Sequence, residues 1–315
     1  MAFNSSQSPN VLCLVSFPSV REISYSTNYE LIITVCVVTA LLAPMAVAGN
    51  AFILAAIWRN PSLRTPSYVL LAGLAVTDFG TGLISQPFFI FNQVAAITGD
   101  KLVHCITDNI AGTVSYYFSS LTVLVMTLIA VERWLHMSRR SLLTVRRVII
   151  LYIFSAVSLV LILGAFFCRL YVWFIYKLFF MLETLYYFGG ALCIIATAFA
   201  YFKVFQIIRR HYNQVHTNSN AIDMQKFKKS VFTILYILAI FVLSYVPYLC
   251  CFLVTRLSQR LGTKSAYAAV NVSKAMVFSS SAFNPLLYYL RIKEIRDDIR
   301  IIVRKLFCKQ NQEES

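Results

Sequence analysis

Charge is scarce in this chain of 315 residues, in which charged residues make up 13% and apolar residues 59%. Soluble domains carry about 25% charged residues, so the chain has roughly half the usual supply. This shortage argues against a soluble enzyme, a coiled coil and a disordered protein. The mean hydropathy of +0.70 is typical of a protein that lies mostly within a membrane.

Long runs without charge mark seven candidate membrane spans. Each is long enough to cross ~30 Å of hydrocarbon as a helix, which satisfies its own backbone hydrogen bonds. We expect these spans at about 31–58, 66–93, 107–134, 147–168, 176–208, 228–255 and 266–290. Residues 1–29 come before them, and 291–307 and the tail 308–315 come after them. The predicted fold is an all-α membrane protein, a seven-transmembrane helix bundle with a short amphipathic cytosolic helix.

Most of the 28 Lys and Arg residues lie in the connections after spans one, three and five and after span seven. The positive-inside rule therefore places the N-terminus outside the cell and the C-terminus in the cytosol. We expect a multi-pass protein of the plasma membrane, in contact with anionic lipid. Nucleic acid is not an expected partner, because the basic residues lie at the ends of apolar helices and not on a soluble face.

One carboxylate, that of Asp78, lies near the middle of a predicted span. An Asp at a helix centre costs about 2.5–3.5 kcal/mol on insertion scales, so it needs polar partners at the same depth. A carboxylate among hydroxyls and amides suits a small hard cation or a proton. The alternative is a hydrogen-bonded packing cluster without an ion. The candidate partners are Asn50, Thr122, Ser280, Ser281 and Asn284.

Two motifs lie near the cytosolic ends of spans three and seven, namely Glu132-Arg133-Trp134 and Asn284-Pro285-x-x-Tyr288. Proline inside a helix removes one backbone hydrogen bond and kinks the helix. Pro247 does the same near the middle of span six, so spans six and seven are candidate hinges.

These patterns, in this order on seven spans, resemble the rhodopsin-like (class A) G-protein-coupled receptors. The first two spans add Gly49-Asn50 and Leu74-Ala75-x-x-Asp78 to the match. The resemblance implies a receptor, not an enzyme, that binds an extracellular ligand in the outer half of the bundle and activates a heterotrimeric G protein by outward movement of helix six. It implies no cofactor except an allosteric sodium ion at Asp78. It also implies a set of switch residues, Glu132, Arg133, Tyr201, Asn284, Pro285 and Tyr288, and a helix-six hinge, Phe241, Tyr245 and Pro247.

The departures from the family pattern indicate a subgroup. The fifth span has Cys193 about where the family has a proline, and Phe227 stands where many members have an acid that pairs with the third-helix Arg. The absent fifth-helix proline, the displaced outer cysteine Cys105 and the short second outer loop resemble the melanocortin, lipid-sensing and adenosine grouping. The missing acid leaves Glu132 as the expected restraint on Arg133.

The residues of the outer half disfavour two ligand classes. Ser115 stands where the aminergic receptors have an Asp, and Phe278 stands where opsins have the Lys that holds retinal. We therefore expect a small-molecule, lipid or peptide ligand that meets Lys274 or Glu183, although a salt bridge between these two charges is an equal alternative. The ligand-binding candidates are Gln86, Ser115, Tyr116, Ser119, Glu183, Tyr248 and Lys274.

Three covalent modifications are expected. The resemblance implies a disulfide between Cys105 and Cys168, with Cys13 and either of them as the alternative. Asn4 begins a glycosylation sequence on the outer side. Cys308 is a palmitoylation candidate at the end of an apolar stripe that is expected to face the membrane. The stripe comprises Ile292, Ile295, Ile299, Ile302 and Leu306.

Two other classes of membrane protein fit less well. A small-molecule transporter or channel, the alternative function, would show several intramembrane charges or inverted repeats, and the sequence shows neither. A membrane metalloenzyme would need histidine or carboxylate ligands inside the spans. The four histidines are expected in loops or at cytosolic ends; they are His104, His136, His211 and His216.

Overall fold

The computed structural model describes residues 29–138, 144–168, 175–215, 236, 239–251, 253–254 and 264–313. All regular structure in these residues is helical. The helices are α1 Tyr29–Arg59, α2 Pro66–Thr98, α3 Lys101–Met137, α4 Val145–Cys168, α5 Ile175–Val215, α6 Ala239–Cys251, α7 Lys264–Arg291 and α8 Lys293–Glu313. The fold is the predicted all-α bundle of seven helices followed by an amphipathic helix.

Helix α2 changes its hydrogen-bonding pattern at mid-length. Its two α-helical parts, Pro66–Gly80 and Gln86–Thr98, are joined by the π-helical segment Thr81–Ser85. Pro87 has no N–H to donate to the carbonyl group four residues earlier, which lies inside this segment, so the proline accounts for the altered ladder. A π-helical turn rotates the outer half of α2 relative to its inner half. The outer half then presents Gln86 and Phe89 to α7.

The junction between α2 and α3 has clear stop and start signals. Gly99 ends α2 with a φ of 77°, a left-handed conformation that glycine adopts without strain. The side chain of Asp100 then caps α3 by accepting hydrogen bonds from the N–H groups of Leu102 and Val103, both at 3.0 Å. Since α3 begins at Lys101, His104 lies inside the helix and is buried. Its expected position in a loop was therefore wrong.

Helix α3 is the centre of the bundle and contacts α2, α4 and α5, while α1 packs against α2, α7 and α8. The approach of α1 to α7 depends on Gly49. A Cβ atom at this position would lie 2.8 Å from Cβ of Pro285, closer than packed carbon atoms allow. The absence of a side chain at Gly49 thus lets the polar residue beside it, Asn50, reach α7.

The outer surface of the bundle is apolar and its interior contains polar groups. Leu41 and Phe154 are exposed by 66% and 70%, whereas Asp78 is fully buried at 0%. This distribution reverses that of a soluble protein and suits lipid contact. Within the described residues, four helical stretches are long and apolar enough to cross a membrane; they are Tyr29–Arg59, Pro66–Thr98, Leu102–Met137 and Phe188–Arg210.

Helix α8 docks on the bundle with part of its apolar stripe. The largest buried apolar cluster of the described residues, here called the main core, includes Ile53, Leu74, Met126 and Tyr288. Ile295 and Ile299 are buried in this main core. Asn60, after α1, donates a 2.8 Å hydrogen bond to Asp298 of α8. The expectation that the whole stripe faces the membrane was therefore wrong, because Ile295 and Ile299 pack on the last turns of α1.

Candidate functional site

The carboxylate of Asp78 is bonded on both oxygens by α7. Ser281 Oγ donates to Oδ1 at 2.8 Å, and Asn284 Nδ2 donates to Oδ2 at 2.7 Å. All three residues are buried. Two charge-assisted hydrogen bonds offset much of the cost of removing the carboxylate from water. Two of the five predicted partners therefore reach Asp78 directly.

Asn50 joins the same centre through the backbone. Its Nδ2 donates to the carbonyl oxygens of Ala46 at 2.8 Å and Ser281 at 3.0 Å. Its Oδ1 is buried and has no hydrogen-bond partner in the described part of the chain. A buried oxygen without a hydrogen bond, close to a carboxylate, is a group that could coordinate a cation.

The remaining two predicted partners bond elsewhere. Thr122 Oγ1 donates to Thr77 Oγ1 at 3.3 Å, one residue before Asp78 on α2. Ser280 Oγ donates to the carbonyl oxygen of Val277 at 2.7 Å, within its own helix. Thr122 thus borders the centre, while the Ser280 hydroxyl is occupied by the backbone. The oxygen atoms near Asp78 still form a donor set that suits sodium, made up of a carboxylate, hydroxyls and the Asn50 amide oxygen.

The motif at the end of α3 contains a buried acid beside a half-exposed base. The side chain of Glu132 is exposed by 3% and that of Arg133 by 43%, and Glu132 Oε2 lies 3.9 Å from Arg133 Nε. Ser67 of α2 donates to Glu132 Oε1 at 2.8 Å. Glu132 Oε2 has no hydrogen bond in the described residues, so its balancing charge comes from Arg133. The guanidinium group is held by one loose ion pair and is partly exposed near the end of α3.

The two switch tyrosines are buried below this motif. Tyr201 of α5 packs with Ala130 and Trp134 of α3, and Tyr288 of α7 lies in the main core. Pro285 lies inside α7, next to Asn284, which bonds Asp78. The α7 motif therefore connects the Asp78 centre to the main core within about one helical turn.

The predicted hinge residues lie on α6. The rings of Phe241 and Tyr245 are 4.8 Å apart and both are buried in the main core. Pro247 follows within the same helix, in which the described residues end at Cys251 and resume at 253. The hinge segment contacts the core through these rings and through Val242. Phe227 lies outside the described residues.

A small open cavity lies between α3, α6 and α7, in the half of the bundle that the sequence predicts to face outward, and is called the outer cavity. Its lining contains five of the seven predicted ligand-binding residues. The lining residues are Gly112, Ser115, Tyr116, Ser119, Tyr248, Lys274, Val277 and Phe278. Gln86 lies behind it and donates to the carbonyl oxygen of Phe278 at 3.3 Å. The backbone of Glu183 belongs to α5, but its side chain lies outside the described side chains.

Lys274 is the cation of this cavity lining. Its Nζ lies 5.9 Å from the centre of the Phe89 ring, and Phe89 packs edge to face on Phe278. Within the described residues no carboxylate forms a salt bridge with Lys274. The ring face stabilises the ammonium group weakly, and the charge stays available to a ligand.

A polar cluster that sequence reasoning missed lies further out, between α2, α3 and α7. Asn92 Nδ2 donates to Asp108 Oδ1 at 3.1 Å, and Thr107 Oγ1 donates to Asn92 Oδ1 at 3.0 Å. On the α7 side, Tyr267 donates to Gln93 Oε1 and Gln93 Nε2 donates to Asn271 Oδ1, each at 3.3 Å. Helical spacing could have revealed part of this cluster from the sequence, because Asp108 lies seven residues before Ser115 and so on the same face of α3.

The expected modifications are tested only at one cysteine. Cys105 is disulfide-bonded, as expected. Both candidate partners, Cys13 and Cys168, lie outside the described side chains, so the pairing stays a prediction. Asn4 and the side chain of Cys308 also lie outside the description, and glycosylation and palmitoylation stay predictions.

Comparison with known proteins gives consistent matches. The dog histamine H2 receptor (Canis lupus familiaris) is 23% identical over 308 residues, which cover 90% of this chain and 83% of the receptor. The high-affinity lysophosphatidic acid receptor of Xenopus laevis is 22% identical over 354 residues, which cover 97% and 91%. The human probable G-protein coupled receptor 45 is 24% identical over 317 residues, which cover 84% and 80%. These relatives are named as receptors.

The profile of the family described as 7 transmembrane receptor (rhodopsin family) matches residues 49–288. This range runs from Gly49 at the α1–α7 contact to Tyr288 in the main core. The motifs that carried the resemblance thus lie inside the matched range. The chain is a multi-pass membrane protein and belongs to the rhodopsin family of seven-transmembrane, G-protein-coupled receptors.

Proposed function

We propose that this receptor binds a ligand with an anionic group in the outer cavity, with Lys274 as the counter-ion. The observation that carries the proposal is the half-buried ammonium group in the cavity lining, whose described contact is a ring and not a carboxylate. A charged hydrogen bond formed in a partly desolvated cavity adds more affinity than one formed at an exposed surface.

The ligands of the relatives differ, so the choice rests on residues of this chain. One relative is named for histamine, which is an amine, and another for lysophosphatidic acid, which is an acid. Ser115 lines the cavity where the aminergic receptors have an Asp, and Lys274 faces it from α7. A neutral hydroxyl opposite a cation favours an acidic ligand over an amine.

Activation is a shift between two populations of the receptor. Agonist binding favours a state in which the cytosolic half of α6 moves outward about Pro247. Arg133 then leaves Glu132 and contacts the Gα subunit, while Tyr201 and Tyr288 repack beneath it. The N-terminus and the ligand lie outside the cell, and the Gα subunit lies in the cytosol, as the positive-inside rule requires.

The centre around Asp78 would hold a sodium ion through Asp78, the Ser281 hydroxyl and the Asn50 amide oxygen. The ion would supply a positive charge that balances the buried carboxylate. Asp78 and its partners on α7 hold α2 and α7 together in the inactive state, because both carboxylate oxygens are bonded to α7. A ligand that binds this arrangement better than the active one shifts the equilibrium by its differential affinity.

The test of the ligand class is guanine-nucleotide exchange on purified Gα. A library of carboxylates and phosphates, including lysophosphatidic acid, is compared with a library of amines, including histamine. We expect agonists among the acids, and Lys274→Gln should reduce their potency roughly 10-fold or more. Lys264→Gln, about 15 Å further out at the start of α7, is the matched control and should not. Agonists found only among the amines, or acids unaffected by Lys274→Gln, would overturn the proposal.

The switch assignment has a separate test that needs no ligand. Arg133→Gln should abolish exchange, and Glu132→Gln should raise basal exchange several-fold, since the restraining charge 3.9 Å from Arg133 is removed. Asp297→Asn, which neutralises an exposed carboxylate on α8, is the control. A Glu132→Gln receptor with wild-type surface expression and unchanged basal exchange would refute the role of Glu132.

A further inference from the structure

The outer polar cluster stands directly above the cavity. On α3, Asp108 precedes the cavity residues Gly112, Ser115 and Ser119 at spacings of four, seven and eleven, which keep all four on one helix face. On α7, the same spacings relate Tyr267 to Asn271, Lys274 and Phe278, and the last two line the cavity. The cavity wall therefore continues outward on both helices to Asp108 and Tyr267.

Two groups of this outer level have unused bonding capacity. Asn271 is buried, and its Nδ2 has no hydrogen-bond partner among the described residues. Asp108 is half-buried and accepts one bond, at Oδ1, from Asn92. The Asn271 amide is a donor and would need an acceptor, whereas the Asp108 carboxylate has a second oxygen without a described hydrogen bond and can accept from a cationic group.

The two levels carry opposite charges. Lys274 lies at the inner level, and Asp108 lies seven residues further out than Ser115, which is about 10 Å along a helix. No salt bridge within the described residues connects Asp108 with Lys274. Each charge is therefore free to meet a different end of one ligand.

We propose that the ligand is dipolar, with an anionic group at Lys274 and an ammonium group about 10 Å away at Asp108. This inference rests on the proposed function, since it adds a second anchor to the Lys274 site. Ser115 cannot pair with an ammonium group as the Asp of the aminergic receptors does. Asp108, two turns further out on the same helix, supplies a carboxylate instead.

Trileucine is a suitable probe, because an extended chain of three residues spans roughly 10 Å. It is compared with N-acetyl-trileucine, which lacks the ammonium group, and with trileucine amide, which lacks the carboxylate. Binding to the purified full-length receptor is measured by thermal stabilisation and by guanine-nucleotide exchange. We expect free trileucine to bind at least roughly 10-fold more tightly than either blocked form.

Charge-neutral variants assign each end of the probe. Asp108→Asn keeps an acceptor for Asn92 and should remove the preference for free trileucine over the N-acetyl form, while the preference over the amide persists. Lys274→Gln should do the reverse. Asp100→Asn is the matched control for Asp108, because Asn caps helices as well as Asp and the site lies eight residues away.

Each adverse outcome overturns a different claim. If the N-acetyl form binds as tightly as the free peptide while the amide binds weakly, the second anchor is refuted and the proposed function survives. Equal binding of the amide and the free peptide refutes the anionic anchor, and with it both proposals. If free trileucine does not bind at millimolar concentration, or if Asp108→Asn keeps the preference, the dipolar ligand is refuted.

Discussion

Two buried polar regions of this receptor differ in how completely their groups are paired. At the Asp78 centre both carboxylate oxygens accept hydrogen bonds of 2.7 and 2.8 Å, and glycine at position 49 brings α1 close to Pro285. The outer cavity contains a lysine whose described contact is an aromatic ring, and a glycine, Gly112, at which a Cβ atom would lie 4.0 Å from its nearest neighbour. The first region is closed and holds the helices together. The second is open to the surface and contains a lysine without a carboxylate partner in the described residues.

The largest expected effect is a change in stability with sodium, which should depend on the Asp78 centre and not on the outer cavity. Replacing KCl with NaCl at constant ionic strength should stabilise the receptor by roughly 1–3 kcal/mol, because the ion binds the folded state. Asp78→Asn should abolish this difference in melting temperature, since the carboxylate is lost. Lys274→Gln should keep it. A sodium effect that survives Asp78→Asn would contradict the sodium site.

A pair of glycine substitutions tests the packing difference. Gly49→Ala should lower the free energy of unfolding by up to about 2 kcal/mol, because its Cβ would lie 2.8 Å from Pro285. Gly112→Ala should be neutral or stabilising by up to about 1 kcal/mol, since the nearest atom to its Cβ is 4.0 Å away and alanine favours helices. Thermal unfolding in detergent measures both. Equal losses would show that the cavity is as tightly packed as the centre.

The smallest effect concerns Tyr236, which lies three residues before α6. The guanidinium carbon of Arg291, at the end of α7, lies 4.8 Å from the centre of the Tyr236 ring. A cation–π contact of an exposed ring contributes about 0.5–1 kcal/mol, so Tyr236→Ala should raise basal exchange roughly two- to five-fold. Tyr236→Phe keeps the ring and should match the wild type. If both variants behave alike, the contact does not restrain α6.

The sequence by itself determined the helical class, the order of the seven helices and the burial of Asp78. Charge-free runs and proline positions are local properties, so they need no knowledge of the partners across the bundle. The sequence also named Ser281 and Asn284 among five candidate partners of Asp78, because an intramembrane carboxylate must find polar groups at its own depth.

Only the tertiary structure decided which of the candidates meet, and where α8 lies. Ser280 and Ser281 are neighbours in sequence, yet only the Ser281 side chain faces Asp78, because successive residues of a helix point about 100° apart. The early start of α3, fixed by the Asp100 cap, placed Asp108 above the cavity. Docking of Ile295 and Ile299 on α1 likewise depended on the contact of Asn60 with Asp298, which are 238 residues apart. Such contacts join distant segments, and no local pattern encodes their distance.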